Sequence, residues 1–126
     1  MNGEIRSHRD LKAWQAAFEL GLRIYEVTEN FPQTERFGLT SQVCRAAVSV
    51  ASNIAEGYGR GTKKDYLRFL RMARGSVYEI DTQLCFALRL LYIEKDEFDF
   101  VQEKINTVGK ILAGLIRSIE QSEKNP

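Results

Sequence analysis

The stretch 39-LTSQVCRAAVSVASNIAEGY-58 decides the fold. Turned at 100° per residue, its apolar and small residues fill an arc of about 200°. Leu39, Val43, Ala46, Val50 and Ile54 make one side of that arc, and Cys44, Ala47, Val48, Ala51 and Ala55 the other. What remains is a polar strip of Gln42, Arg45, Ser49, Ser52, Asn53 and Glu56. A helix with so much apolar circumference touches neighbours on more than one side.

Upstream, Asp10 is placed to cap a helix running to about Asn30. Its apolar stripe reads Leu11, Trp14, Phe18, Gly21 or Leu22, Tyr25 and Thr28, with Trp14 as a core residue. Phe31-Pro32 stops it, because the residue before proline is pushed out of the helical region. Gly57 and Gly59 are expected to end the second helix, since glycine takes the left-handed turn at a helix C-terminus.

Downstream, Thr62 with Asp65 resembles a capping box and opens a third helix reaching about Tyr92. One face carries Tyr66, Leu70, Ala73, Val77, Ile80, Leu84, Ala87 and Leu91, an unbroken heptad alternation. The roughly opposite face carries Met72, Gly75, Glu79, Phe86 and Leu90. One face packs inside a bundle; the other needs a different partner, which predicts a homo-oligomer. Acidic residues 94–99 suit the start of a fourth helix, whose stripe is Phe98, Val101, Ile105, Val108, Leu112, Leu115 and Ile119. Four helices with short links predict an all-α, antiparallel up-and-down four-helix bundle. The domain is expected over residues 10–122, with a loose segment at 1–9 and a frayed tail at 123–126.

Composition agrees with one globular domain: 126 residues, 44% hydrophobic and 28% charged, which argues against disorder. No apolar run is long enough for a membrane span, and the first residues lack the apolar core of a secretory signal. A cytoplasmic chain is expected, with Cys44 and Cys85 as free buried thiols.

Three constellations stand out. The polar strip of the second helix places Gln42, Arg45, Ser49, Asn53 and Glu56 within about 80° of each other. We read it as a packing or subunit seam rather than a catalytic strip, because acid, amide and guanidinium lack an activated nucleophile. Gly75 sits inside a helix, where glycine costs about 0.8–1.0 kcal/mol against alanine. Close approach of another backbone, with Met72, Glu79 and Phe86 around it, is the expected offset.

The third is basic. Residues 60–74 hold Arg60, Lys63, Lys64, Arg68, Arg71 and Arg74 against Asp65 alone, a local +5 that leaves −4 for the rest of a chain of net +1. Such a patch suits phosphates, and equally suits a solvated bundle face. Catalysis and metal binding have little to work with. His8 is the only histidine, and there is no H-E-x-x-H, Cys-x-x-Cys or Glu-x-x-His pattern. No enzyme activity, cofactor or metal is expected.

Several strings belong together: 10-DLKAW-14, 31-FP-32, 35-ERFGLTSQ-42, 45-RAAVSV-50, 53-NIAEG-57 with Gly59-Arg60, and 73-ARGSVYE-79. From about Arg9 to Leu91 the chain resembles the four-helix-bundle proteins encoded in the 23S rRNA intervening sequences of some bacteria. The resemblance implies an antiparallel four-helix bundle assembled as a ring-shaped homopentamer, with no catalytic residues. A related protein is the accessory subunit of diversity-generating retroelements, a basic pentameric barrel that binds a reverse transcriptase and nucleic acid. The expectation is therefore a non-enzymatic oligomer binding RNA or other nucleic acid through its basic patch. The alternative is a protein–protein scaffold or accessory subunit without nucleic-acid contact.

Overall fold

The computed structural model describes residues 4–124. They form four helices and no strand: α1 Lys12–Thr28, α2 Leu39–Gly59, α3 Lys63–Arg89 and α4 Lys95–Lys124. Each helix packs on two others in the cyclic order α1, α2, α3, α4, and among the described residues the diagonal helices α1 and α3, and α2 and α4, bring no Cα atoms within 8 Å of each other. The core fills the space between them, with Leu20, Ile24, Val43, Val50, Ile54, Leu70, Ile80, Leu84 and Leu112 fully enclosed. Each such side chain contributes about 1.5–3 kcal/mol by leaving water. No described helix is long and apolar enough to cross a membrane.

The start of the chain departs from expectation at Ser7. His8–Asp10 form a turn of 3-10 helix; Ser7 Oγ accepts from Arg9 N–H, and Asp10 Oδ2 accepts from Arg6 N–H at 2.8 Å. The Arg6 N–H, joined by the Ser7 N–H, holds the Asp10 carboxyl below its ordinary value. Ser7 therefore caps this turn and Asp10, its third residue, completes the capping box, while α1 begins after Leu11 with no side-chain cap. Residues 1–3 and 125–126 lie outside the described residues; of the expected tail, residues 123 and 124 continue α4.

The inward face of α1 also differs. Ala13, Ala17, Leu20, Ile24 and Val27 are buried, not the aromatic stripe. Trp14 is half-buried, and Phe18, Leu22 and Tyr25 are exposed. The small residues win the inside because α1 and α2 lie close: the Cβ position of Gly21 is 3.8 Å from Ala47 O. Bulky rings are displaced to the flank of that contact.

Three helix ends are set by local chemistry. Glu35 Oε1 accepts from Leu39 N–H at 2.9 Å, a carboxylate on the positive end of α2. Gly38 leaves it room, since a Cβ there would stand 2.6 Å from that oxygen. At the other end α2 runs through both glycines and stops before Gly61, which carries the positive φ of 90°. Gly57 instead permits close packing: a Cβ there would meet Phe69 Cβ at 2.8 Å and Tyr66 O at 3.3 Å. Thr62 Oγ1 accepts from Asp65 N–H and starts α3 as expected.

The third helix ends at Arg89, short of Tyr92. Tyr92 N–H reaches Ala87 O at 2.8 Å and Leu91 N–H reaches Leu88 O at 3.1 Å, the paired bonds of a Schellman turn. Leu91 takes the position usually given to glycine, with φ 65°. It is thereby swung out of the heptad stripe and left 88% exposed. Tyr92 points inward, its ring 5.7 Å from Phe31 and its hydroxyl donating to Glu35 Oε2 at 3.0 Å. This ties the α1–α2 link to the α3–α4 link. In α4 the buried stripe is Val101, Ile105, Val108, Leu112 and Ile116, with Phe98, Leu115 and Ile119 packed at its edge.

Candidate nucleic-acid interface and assembly faces

The six cations of residues 60–74 lie around the α2–α3 link and the first three turns of α3. Three have carboxylate partners within the chain. Arg60 meets Glu56 at 2.9 Å, Arg71 meets Glu120 of α4 at 2.6 Å, and Arg68 stands 3.9 Å from Asp65. Arg60 and Arg68 also lie over the ring of Phe69, at 4.9 and 4.4 Å from its centroid. Lys63 only donates to Ser122 O, at 3.4 Å. Among the described residues, Lys64 and Arg74 have no ion pair. The surface pairs are each worth about 0–1 kcal/mol, so a phosphate can displace them. The cations freest to meet one are Lys63, Lys64 and Arg74.

The polar strip of α2 divides. Ser49 turns toward α3, its Oγ 2.9 Å from Ser76 Oγ, and Asn53 folds back along α2, its Nδ2 donating to Ser49 O and Oγ, each at 2.9 Å. Gln42, Arg45 and Glu56 are exposed. Arg45 makes no ion pair among the described residues, although it shares a shallow groove with Glu79 and Gln83.

The second face of α3 looks into water within one chain. Met72, Gly75, Glu79 and Phe86 are all exposed, Phe86 by 60%. The expectation that another backbone packs on Gly75 fails inside the chain, where a Cβ would meet nothing within 4 Å. Instead Gly75 opens a groove of about 680 Å³ between α2 and α3, walled by Leu39, Gln42, Glu79, Phe86 and Leu90. Gln83 also lines it, and its Oε1 is buried without a hydrogen-bond partner among the described residues. A second apolar surface lies on the α1–α2 flank. Trp14 stacks on Phe18 at 4.9 Å, and with Leu22, Tyr25 and Val48 these rings border a groove of about 350 Å³.

Sequence reasoning missed that second surface by assigning the aromatic ridge of α1 to the core. The signal was present: alanines at positions 13 and 17 offered a second, smaller stripe. The thiols were also misplaced, since Cys85 is exposed and Cys44 is half-buried, 3.5 Å from Thr28 Oγ1.

Residues 9–114 match the family model described as 23S rRNA-intervening sequence protein. The chain belongs to this family. The match extends past Leu91, where the resemblance was expected to fade, into α4 as far as Gly114. A similar fold is known from a 1.70 Å crystal structure of another protein. That protein, of unknown function, is from the S23 ribosomal protein family of Bacteroides thetaiotaomicron VPI-5482. The two chains superpose with a TM-score of 0.77 at 20% identity, over 83% of this chain and 95% of that one. Among curated proteins none matches the chain.

Proposed function

We propose that this protein is a non-enzymatic, cytoplasmic assembly module. It forms a ring of copies and binds RNA or another nucleic acid through the cations around the α2–α3 link. The helices are read as an antiparallel up-and-down bundle, supported by Arg71 meeting Glu120 while Asp81 meets Gln102 further along the same pair. The observation that carries the reading is the pair of uncovered apolar flanks, one on α1–α2 and one on α2–α3. Two different flanks on one chain favour head-to-tail contact, because neither needs to meet its own copy. Adjacent sides of a four-helix bundle face about 90° apart. Head-to-tail contacts at about 90–110° close after four or five copies, in keeping with the pentamer that the family resemblance implies. The buried, unmet Oε1 of Gln83 gives the α2–α3 groove a need for a donor from outside.

For nucleic acid, the reading predicts an affinity that falls steeply with salt. A filter-binding titration of structured RNA tests it. Replacing Lys63, Lys64 and Arg74 by glutamate should abolish binding and leave the ring formed through the apolar flanks intact. Arg71→Glu should weaken binding less, since Arg71 is already engaged by Glu120. Absence of binding at low salt sinks the nucleic-acid reading. A scaffold without nucleic acid is the second reading, favoured by the three patch cations already paired within the chain. Under it, a defined protein partner is retained after nuclease treatment.

A further inference from the structure

Leu91 occupies a backbone conformation that suits glycine, with its side chain 88% exposed. A branched residue there is strained, and an exposed leucine gains nothing from its own chain to offset the strain. Phe37, in the neighbouring link, is 89% exposed. Both links meet through the Glu35–Tyr92 hydrogen bond, so the two apolar tips share one end of the bundle. That end is acidic: residues 29–38 and 89–99 hold six carboxylates against three cations, a net −3.

The opposite end is the reverse. Lys63 reaches Ser122 there, and His8 borders the same groove as Ala55 near the end of α2. Residues 4–12, 57–68 and 117–122 hold eight cations against four carboxylates, a net +4. We propose that Leu91 and Phe37 anchor an end-to-end contact, in which the acidic end of one copy sits on the basic end of a second. Charge complementarity between the two ends of the same chain selects a second copy as the occupant. The end of a four-helix bundle offers only about 400 Å² per partner, so a single contact is weak. A ring would repeat it around its face and strengthen it. The contact lies at the ends and does not use the apolar flanks. A nucleic acid would compete for the same cations.

Sedimentation velocity of the full chain at about 20 mM and about 500 mM salt tests this, because screening removes charge contacts and spares apolar ones. The expected result is a ladder of larger species at low salt that collapses to one basal species at high salt. Leu91→Gly should abolish the ladder while leaving the thermal midpoint unchanged or raising it by a few degrees, since glycine relieves the left-handed strain. Lys63→Glu with Lys64→Glu should abolish it from the other end, and Leu91→Met should keep it. A ladder unchanged in Leu91→Gly, or no ladder for the unaltered chain at low salt, overturns the proposal. A basal species of one-chain mass, 14.4 kDa, would instead count against assembly through the flanks.

Discussion

Glycines 57 and 75 show how one residue type serves two opposite purposes. At Gly57 an added methyl would stand 2.8 Å from Phe69 Cβ, so α2 and α3 touch there only because it is missing. Gly57→Ala should destabilise the fold by about 1–3 kcal/mol through overpacking, despite alanine's better helix propensity. At Gly75 nothing is close, and Gly75→Ala should stabilise an isolated chain by about 0.8–1.0 kcal/mol. Urea denaturation of both variants reads the contrast. Loss of the oligomer in Gly75→Ala would mean that the missing methyl is needed between copies. The sequence pattern put Gly57 at a helix end and Gly75 inside a helix, but both lie within helices, and their difference lies in what stands opposite.

Glu35 is a second residue with a role invisible in sequence. Its carboxylate accepts from Leu39 N–H and from the Tyr92 hydroxyl, and these donors hold its pKa below the ordinary 4.5. A depressed value in the folded state means that the bonded carboxylate stabilises the fold above about pH 4.5, the ordinary value, and that this is lost as pH falls through the lower folded value. Glu35→Gln should therefore lower the thermal midpoint near neutral pH and flatten its decline on the acid side. A midpoint that declines toward acid as steeply in Glu35→Gln as in the unaltered chain counts against this account. The partner Tyr92 is 57 residues away, beyond any local pattern.

At the scale of elements, periodicity specified four helices in their order, and the chemistry of Thr62 located one start. It misassigned the face of α1 because volume was taken as a sign of burial. Core space between close helices is scarce, and the pair α1–α2 fills it with Ala13, Ala17 and Ala47 while rings go to the flank. The assignment has a measurable consequence. Leu20→Ala should cost about 2–5 kcal/mol. Phe18→Ala, 43% exposed, should cost a lone chain under about 1 kcal/mol and weaken self-association instead. Equal losses for the two variants would restore the aromatic stripe to the core.

For the whole molecule, the two apolar flanks make a distinctive demand on mixing. Phe18→Asp damages the α1–α2 flank, and Phe86→Asp damages the groove beside α3. Each variant alone should fail to form rings. Mixed in equal amounts, the intact flank of one meets the intact flank of the other, and the product stops at a pair. A mixture that rebuilds the full ring, or one that stays single, excludes head-to-tail contact. The composition alone carried little of this, because a total of +1 conceals where each charge sits.

The opposed ends also govern how the protein meets anything charged before contact. In an external field a body with −3 at one tip and +4 at the other experiences a torque although almost no net pull acts on it. Drifting toward a polyanion, it rotates until the α2–α3 link leads and the Glu35–Tyr92 tip trails. Collisions in the wrong pose are thus thinned out by rotation alone, an advantage that a uniformly cationic surface of equal total charge would not possess.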